Sequence, residues 1–206
     1  MIKLYHEKPE ISTAEVLRYL GYKKDSADDR VLKLISEKEA ELKCDLKVCY
    51  LSLPVSLNGK RINFDCFSVE SKDLAKFIGD AKEVILFGAT IGIEFDRLLK
   101  RETVLSPSGA AVLQAVGTSA VEQLCDRFCA EFCTKSRFSP GYGDLSISVQ
   151  RDIFNVLNLE KNIGVTLTDS FLMTPTKSVT AFMVPGAEKQ NGCENCDKKD
   201  CTFRKV

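Results

Sequence analysis

The hydrophobic pattern of this chain changes period as it goes. Leu51, Leu53, Val55 and Leu57 alternate with other residues, Asn58-Gly59 follows, and Ile62, Phe64 and Cys66 alternate again. A period of two places each set on one face of a strand, and Asn-Gly readily takes positive φ, so the stretch predicts a tight antiparallel hairpin covered on one side. Elsewhere the period is helical. Ser12-x-x-Glu15 has the form of a capping box and opens a short helix through Val16, Leu17 and Leu20, which Gly21 ends. A second helix is expected from about Ser26 to about Cys44, with Val31, Leu34, Ile35 and Leu42 facing inward. Together these form an N-terminal helical arm.

Ser71 to Ile78 reads as a helix stopped by Gly79, Val84 to Phe87 as a buried strand, and Ile93 to about Lys100 as a helix. Ser106-Pro107 begins the longest helix, expected to reach about Thr134, because proline at the first helical position lacks only an amide that has no partner there. Val121, Leu124, Phe128 and Phe132 form its core stripe, and small residues from Gly109 to Ala120 permit close packing. A further helix near Ser146 to Asn158 buries Val149, Ile153, Val156 and Leu157, and Val165–Thr168 and Ser178–Val184 read as the last strands. A hairpin first and alternating elements later predict an α+β domain with a mixed or antiparallel sheet. The expected organisation is an N-terminal helical segment over 1–45, a main domain over 46–185 and a cysteine-rich tail over 186–206.

Composition narrows the function. Of 206 residues, 44% are hydrophobic and 28% charged, which is ordinary for a globular protein. Lys+Arg and Asp+Glu both total 29, and this even balance argues against a nucleic-acid partner. No run approaches a membrane span, and MIKLYHEKPE has no apolar signal core, so a cytoplasmic protein is expected, its nine cysteines thiols or metal ligands rather than disulfides.

Four stretches carry candidate chemistry. VILFGATIG has the strand, glycines and helix start that can hold an anion, but Gly88-x-x-x-Gly92 lacks both the dinucleotide spacing and the Lys-Ser/Thr of a P-loop. A tight strand-to-helix turn is the expectation there. Cys125, Cys129 and Cys133 recur every four residues along one helix stripe, where cysteine packs as a small hydrophobe. Cys193-x-x-Cys196-x-x-x-x-Cys201 lies in a polar tail; its thiolates suit zinc or an iron–sulfur cluster, and a thiol-bearing flexible tail is the alternative. His6, the sole histidine, has no ligand spacing to any of these and is expected to be solvated.

The fourth stretch is SRFSPGYGD, Ser136 to Asp144. Arg137 offers a planar cationic fork suited to a carboxylate or phosphate. Pro140-Gly141 forces a turn, Gly141 and Gly143 allow close backbone approach, Tyr142 adds an aromatic face and a hydroxyl, and Asp144 is placed to cap the next helix. Chemistry alone leaves a structural turn and a binding loop open.

Arg137-x-x-Pro140-Gly141-Tyr142, an amphipathic helix, and then Leu167-Thr168-Asp169-Ser170-Phe171-Leu172-Met173-Thr174-Pro175 resemble the activation (reactivation) domain of cobalamin-dependent methionine synthase over about Leu124 to Val184. That family carries R-x-A-P-G-Y, a helix, and T-E-S-F-A-M-x-P in this order. The resemblance implies a C-shaped domain with a twisted, mainly antiparallel sheet flanked by helices, binding S-adenosylmethionine in an extended shallow groove. It implies a repair role: an oxidised cobalamin is reduced by an external electron and then methylated. By position, Arg137 would hold the methionyl carboxylate and Tyr142 would lie near the methyl group and corrin as the catalytic residue. Asp126 would stand for a helix glutamate that contacts the ligand, Phe138 and Ser139 would bring backbone groups to it, Gly141 would lie beside it, and Ser170 and Met173 would fit the second motif.

The family's usual insertion between the long helix and the arginine is missing here. So are corrin, folate and homocysteine modules, so the resemblance implies action in trans on the cobalamin of a methionine synthase or related corrinoid methyltransferase. An electron donor such as flavodoxin or ferredoxin would serve it, and a cluster on Cys193, Cys196 and Cys201 would relay the electron. The alternative is a non-catalytic S-adenosylmethionine-binding sensor or assembly module with a metal-binding tail.

Overall fold

In a computed structural model, residues 1–6, 11–22, 27–134 and 136–186 are described. The frame is an antiparallel sheet in the order β4-β3-β2-β5-β8, with β1 also pairing β2. Its strands are β1 (Lys3–Tyr5), β2 (Lys47–Asn58), β3 (Arg61–Phe64), β4 (Ser68–Glu70), β5 (Glu83–Thr90) and β8 (Ser178–Met183). A separate two-stranded piece joins β6 (Thr166–Leu167) to β7 (Met173–Thr174). The helices are α1 (Thr13–Tyr19), α2 (Asp29–Glu41), α3 (Lys72–Ile78), α4 (Ile93–Leu105), α5 (Pro107–Ala130), α6 (Gln150–Leu157) and α7 (Leu159–Ile163).

β2 is the backbone of the sheet. One of its edges pairs with β5 along Lys47–Pro54, while the other takes β1 at Val48–Tyr50 and β3 at Val55–Asn58. Sharing one long strand between two partners curls the sheet. In the hairpin, Asn58 pairs with Arg61, so the central turn residues are Gly59 and Lys60 rather than Asn58 and Gly59. Only Gly59 has positive φ (63°), the pattern of a type II′ turn. The buried alternation runs through Leu53, Val55, Ile62 and Phe64, but Leu57 at the tip and Cys66 beyond β3 are exposed. Phe67 takes the expected place of Cys66, its ring 4.7 Å from that of Phe64.

The expectation of a sheet covered on one side holds only for its β3–β4 end. The β2–β5–β8 part is covered on both. Leu53, Leu86, Phe182 and neighbours meet α3, α6 and α7 on one face. Val48, Phe87, Ala181, Met183 and neighbours meet α4 and α5 on the other. This explains why β5 is buried along Val84–Thr90 without alternation.

VILFGATIG is a strand for most of its length. Gly88 pairs with both Cys49 and Thr180, and a Cβ there would lie 2.5 Å from Leu159 Cδ2, so this glycine makes room for α7. Only Gly92 turns the chain into α4. α4 continues to Leu105, five residues past its expected end, and α5 stops at Ala130, short of Thr134, because Cys133 takes positive φ (53°). Ser106 Oγ caps α5 by accepting from Gly109 N at 3.1 Å.

α1 and α2 pack on α5 around Val16, Ile35, Val112, Ala115 and Val116. Ser12 Oγ caps α1, accepting from Glu15 N at 3.4 Å, but the Glu15 carboxylate takes Arg18 instead of closing the box. α2 begins at Asp29, with Asp28 as its cap, rather than near Ser26. It buries a cation that the apolar pattern does not predict: Lys38 Nζ sits 2.9 Å from Glu102 of α4 and 3.0 Å from Glu41. His6 Nδ1 lies 3.3 Å from Leu46 O, so the histidine is bonded as well as exposed.

Candidate functional site

The site begins where α5 ends. After Cys133 the chain turns back and meets the free edge of β8. Phe138 N donates to Phe182 O and Phe182 N to Phe138 O, both at 2.8 Å. The pairing puts the Phe138 ring on the α3 side, 5.5 Å from Phe77. Because alternate residues of an extended segment face opposite ways, Arg137 is directed at α5. There Nη1 donates to Asp126 Oδ1 at 2.5 Å and Nη2 donates to Glu122 Oε2. The Arg137 side chain is 15% exposed, against 35% for Glu122 and 49% for Asp126.

Three groups share this spot, and two carboxylates against one guanidinium leave a net charge of −1. Burial disfavours the Arg137 charge, but Cys125, Glu122 and Asp126 outweigh it and hold the group protonated beyond its ordinary range. Cys125 and Cys129 lie beneath the cluster as buried core thiols. Burial raises both above the usual range, Cys129 to about 11, so near neutrality the negative charge comes from the carboxylates. Cys133 is exposed and leaves the stripe. Of the expected binding residues, the structure brings Asp126 and Arg137 together. It adds Glu122, which stands four positions before Asp126 and so shares its face of α5.

The rest of SRFSPGYGD docks on α3. Gly141 N donates to Leu145 O at 2.9 Å and Tyr142 N to Ser139 O at 3.1 Å, which closes the turn. Tyr142 is 61% exposed, its ring edge-on to Phe138 at 6.4 Å and so on the side away from Arg137. The Phe138 amide, expected to reach the ligand, is spent on Phe182 O, and its carbonyl keeps one free lone pair after accepting from Phe182 N. Asp144 does not cap the following helix, whose first turn is held by Ser146 Oγ and Ser148 N at 3.2 Å. It caps α3 instead. Its carboxylate accepts from the Ser71 hydroxyl, from Lys72 N at 2.8 Å and from Asp73 N at 3.2 Å, while Asp144 N donates to Asp73 at 3.1 Å. Gly143 belongs to this joint, because a Cβ there would lie 2.9 Å from Asp73 Cγ.

The second motif folds as the β6–β7 piece. Ser170 Oγ lies 3.0 Å from Thr168 Oγ1, Phe171 has φ 62° beneath Arg151 at 5.1 Å, and Met173 packs on the α6–α7 side. A cleft of about 470 Å³ lies beside it, lined by residues including Arg151, Asn155, Thr168 and Asp169. Ser170 is therefore placed apart from the Arg137 cluster. The chain then returns to α5: Thr176 binds Asp96 of α4, and Lys177 reaches Thr118. Among the described residues, no group of histidine, cysteine, aspartate and glutamate is arranged to hold a metal, and no helix is long and apolar enough to cross a membrane. Cys193, Cys196 and Cys201 lie outside the described residues.

Comparison with known proteins gives the same family as the motifs. Residues 120–200 match the family described as vitamin B12 dependent methionine synthase, activation domain. Among solved structures the chain is similar to one titled "Crystal Structure of the MetH Reactivation Domain bound to AdoHcy". The identity is 15% and the TM-score 0.65, over 90% of this chain and 78% of that one, so the curled α+β fold is shared. A search of curated proteins finds no match.

Proposed function

We propose that this chain, whose residues 120–200 match the vitamin B12 dependent methionine synthase activation-domain family, binds S-adenosylmethionine and supports reductive methylation of a cobalamin carried by a partner in trans. The observation that carries the reading is the fork of Arg137 between Asp126 and Glu122. A methionyl group brings one carboxylate and one ammonium. Its carboxylate pairs with Arg137, and its ammonium pairs with the carboxylates that Arg137 releases. Charge pairs are exchanged in kind, so the partly buried site holds the zwitterion without leaving an ion uncompensated. The net charge of −1 also favours a sulfonium, which gives S-adenosylmethionine a net positive charge. The solved relative is titled as bound to AdoHcy, the demethylated counterpart of this ligand.

The remaining residues take roles by position. Ser139, next to Phe138 on the strand-like segment, offers the free polar group at the ligand edge, and Gly141 keeps the turn close to it. Tyr142 is exposed at the tip on the side away from Arg137, so it is a contact for the docking partner and not, as its motif position implies, a residue beside the methyl group. When the corrinoid is docked, its reduced cobalt takes the methyl carbon as the sulfur–carbon bond breaks. This chain supplies no general base, and its contribution is position. A donor of the flavodoxin or ferredoxin type provides the electron. Ser170, on a separate hairpin, supports the fold of the second motif.

The test is calorimetric titration of wild type and Arg137→Ala with S-adenosylmethionine. Binding by wild type and its loss in the variant is expected; no binding by wild type sinks the reading. Adding a cob(II)alamin-loaded partner and reductant should then produce methylcobalamin. Binding without methylation points to a sensor.

A further inference from the structure

Lys177 lies on the same α5 face as the Arg137 cluster and is not used by it. Odd-numbered residues of β8 face α5, as Val179, Ala181 and Met183 do. Lys177, just before the strand, follows this alternation: Nζ donates to Thr118 Oγ1 at 2.8 Å and stands 5.4 Å above the Phe95 ring. Thr118, Glu122 and Asp126 are successive residues of one stripe at one-turn spacing. The ammonium therefore sits one turn from Glu122 and about 12 Å along the helix from Asp126.

Three features make this lysine more than a surface cation. It is half-buried with no carboxylate within ion-pair distance among the described residues, so burial lowers its pKa against the opposing pull of Asp96. Asp96 opposes that effect from beyond ion-pair distance, its oxygens accepting from Thr176 N, at 2.9 Å, and from the Thr176 hydroxyl. The segment that carries it is fixed. Ile91 N donates to Lys177 O at 3.1 Å, and Ser178 Oγ bonds Pro175 O at 2.7 Å and Thr90 Oγ1 at 2.9 Å. An ammonium has three donors, and Thr118 takes one. A locally balanced charge with donors to spare suits neutral oxygen acceptors better than a second anion.

We propose that Lys177 is a positioning residue for the adenosyl end of the donor, its ammonium donating to the ribose hydroxyls while Arg137 holds the methionyl end. This rests on the functional reading above. It makes the α5 face a two-point ruler, with a zwitterion site at Glu122–Asp126–Arg137 and a hydroxyl site at Thr118–Lys177, and a donor lying along two helical turns spans both.

Fragments of the donor separate the two points. 5′-Methylthioadenosine keeps the adenosyl half, and S-methylmethionine keeps the charged methionyl half. Ligand-observed NMR reads the fragments and calorimetry reads S-adenosylmethionine. Lys177→Met is expected to weaken S-adenosylmethionine and methylthioadenosine about tenfold, the value of one charge-assisted hydrogen bond, and to leave S-methylmethionine unchanged. Arg137→Ala should show the reverse fragment pattern, and Lys177→Arg should recover most of the affinity. Circular dichroism confirms the fold, and Lys177→Arg carries the test if the methionine variant fails to fold. If Lys177→Met binds S-adenosylmethionine as wild type does, or weakens S-methylmethionine equally, the proposal is wrong while the Arg137 site stands. Displacement of methylthioadenosine by inorganic phosphate would overturn it too, by assigning Lys177 to an anion. If wild type binds no S-adenosylmethionine, both readings fall.

Discussion

Gly117 gives the sharpest test of how the α5 face is built. It lies in the middle of α5, where glycine costs about 1 kcal/mol of helix stability relative to alanine. On propensity alone Gly117→Ala is stabilising. The packing says otherwise. A Cβ at 117 would lie 2.7 Å from Cζ and 2.8 Å from Cδ2 of Phe95, and closer still to Cε2. Phe95 is 0% exposed, so its ring cannot swing out. Overpacking against a locked ring costs about 1–3 kcal/mol, and a clash spread over three ring atoms belongs at the upper end. Subtracting the propensity gain leaves a net loss of about 1–2 kcal/mol. For a chain of this size that lowers Tm by about 2–8 °C. Thermal and urea unfolding followed by circular dichroism reads it. Phe95→Leu in the Gly117→Ala background should recover stability while costing stability on its own, a coupling of opposite sign to additivity. A Tm for Gly117→Ala at or above wild type would refute the packing argument and return the position to simple helix propensity.

Two further outcomes follow from charges placed by the fold. The Ser71 hydroxyl, then the Lys72 amide, hold the Asp144 carboxyl below its ordinary range. A depressed folded-state pKa contributes stability that is complete above the unfolded carboxylate value and is lost as pH falls through the lower folded value. Urea midpoints of wild type should drop between neutral and strongly acidic pH more than those of Asp144→Asn, and equal slopes would remove the cap. Lys38→Met leaves the buried Glu102 with no cation at 2.9 Å and should cost about 3–5 kcal/mol in urea unfolding, with Lys38→Met/Glu102→Leu recovering most of it; a single variant as stable as wild type would show that the pair does not hold α2 on α4.

The parts of the fold that local chemistry dictates were legible in the sequence. The cap at Ser12, the helix starts at Ser71 and Ser106-Pro107, the stop at Gly79 and the Leu53–Phe64 hairpin are set within a few residues, and all appear. What local pattern could not supply was long-range. Gly88 reads as a turn glycine until Leu159 is known to lie against it, and Asp144 reads as a cap for the next helix until Ser71–Asp73 is known to be its neighbour. Lys38 and Glu102, 64 positions apart, are each ordinary helix charges in sequence. β1, β4 and β7 are three residues or fewer, too short to show a period. Asp126 and Arg137 were named through motif position, and Glu122 was the one cluster member that helix spacing alone would have added.

The same geometric device builds both ends of the α5 face. β8 is an edge strand, and Phe138 closes only one pair on it. Continued in register, that pairing would set Pro140 across from Thr180, and proline has no amide to donate, so the ladder ends there. The motif segment is thus held to the sheet at one residue, enough to fix the alternation that turns Phe138 toward α3 and Arg137 toward α5. The sheet imposes that alternation on Lys177 at the other end of β8. A side chain's direction on a pleated edge is far better determined than on a free loop. Two cations can therefore stand at fixed separation over one helix although they are 40 positions apart in the chain. The arrangement does not depend on the connection that precedes the arginine, because the arginine takes its direction from the pairing of Phe138 with Phe182.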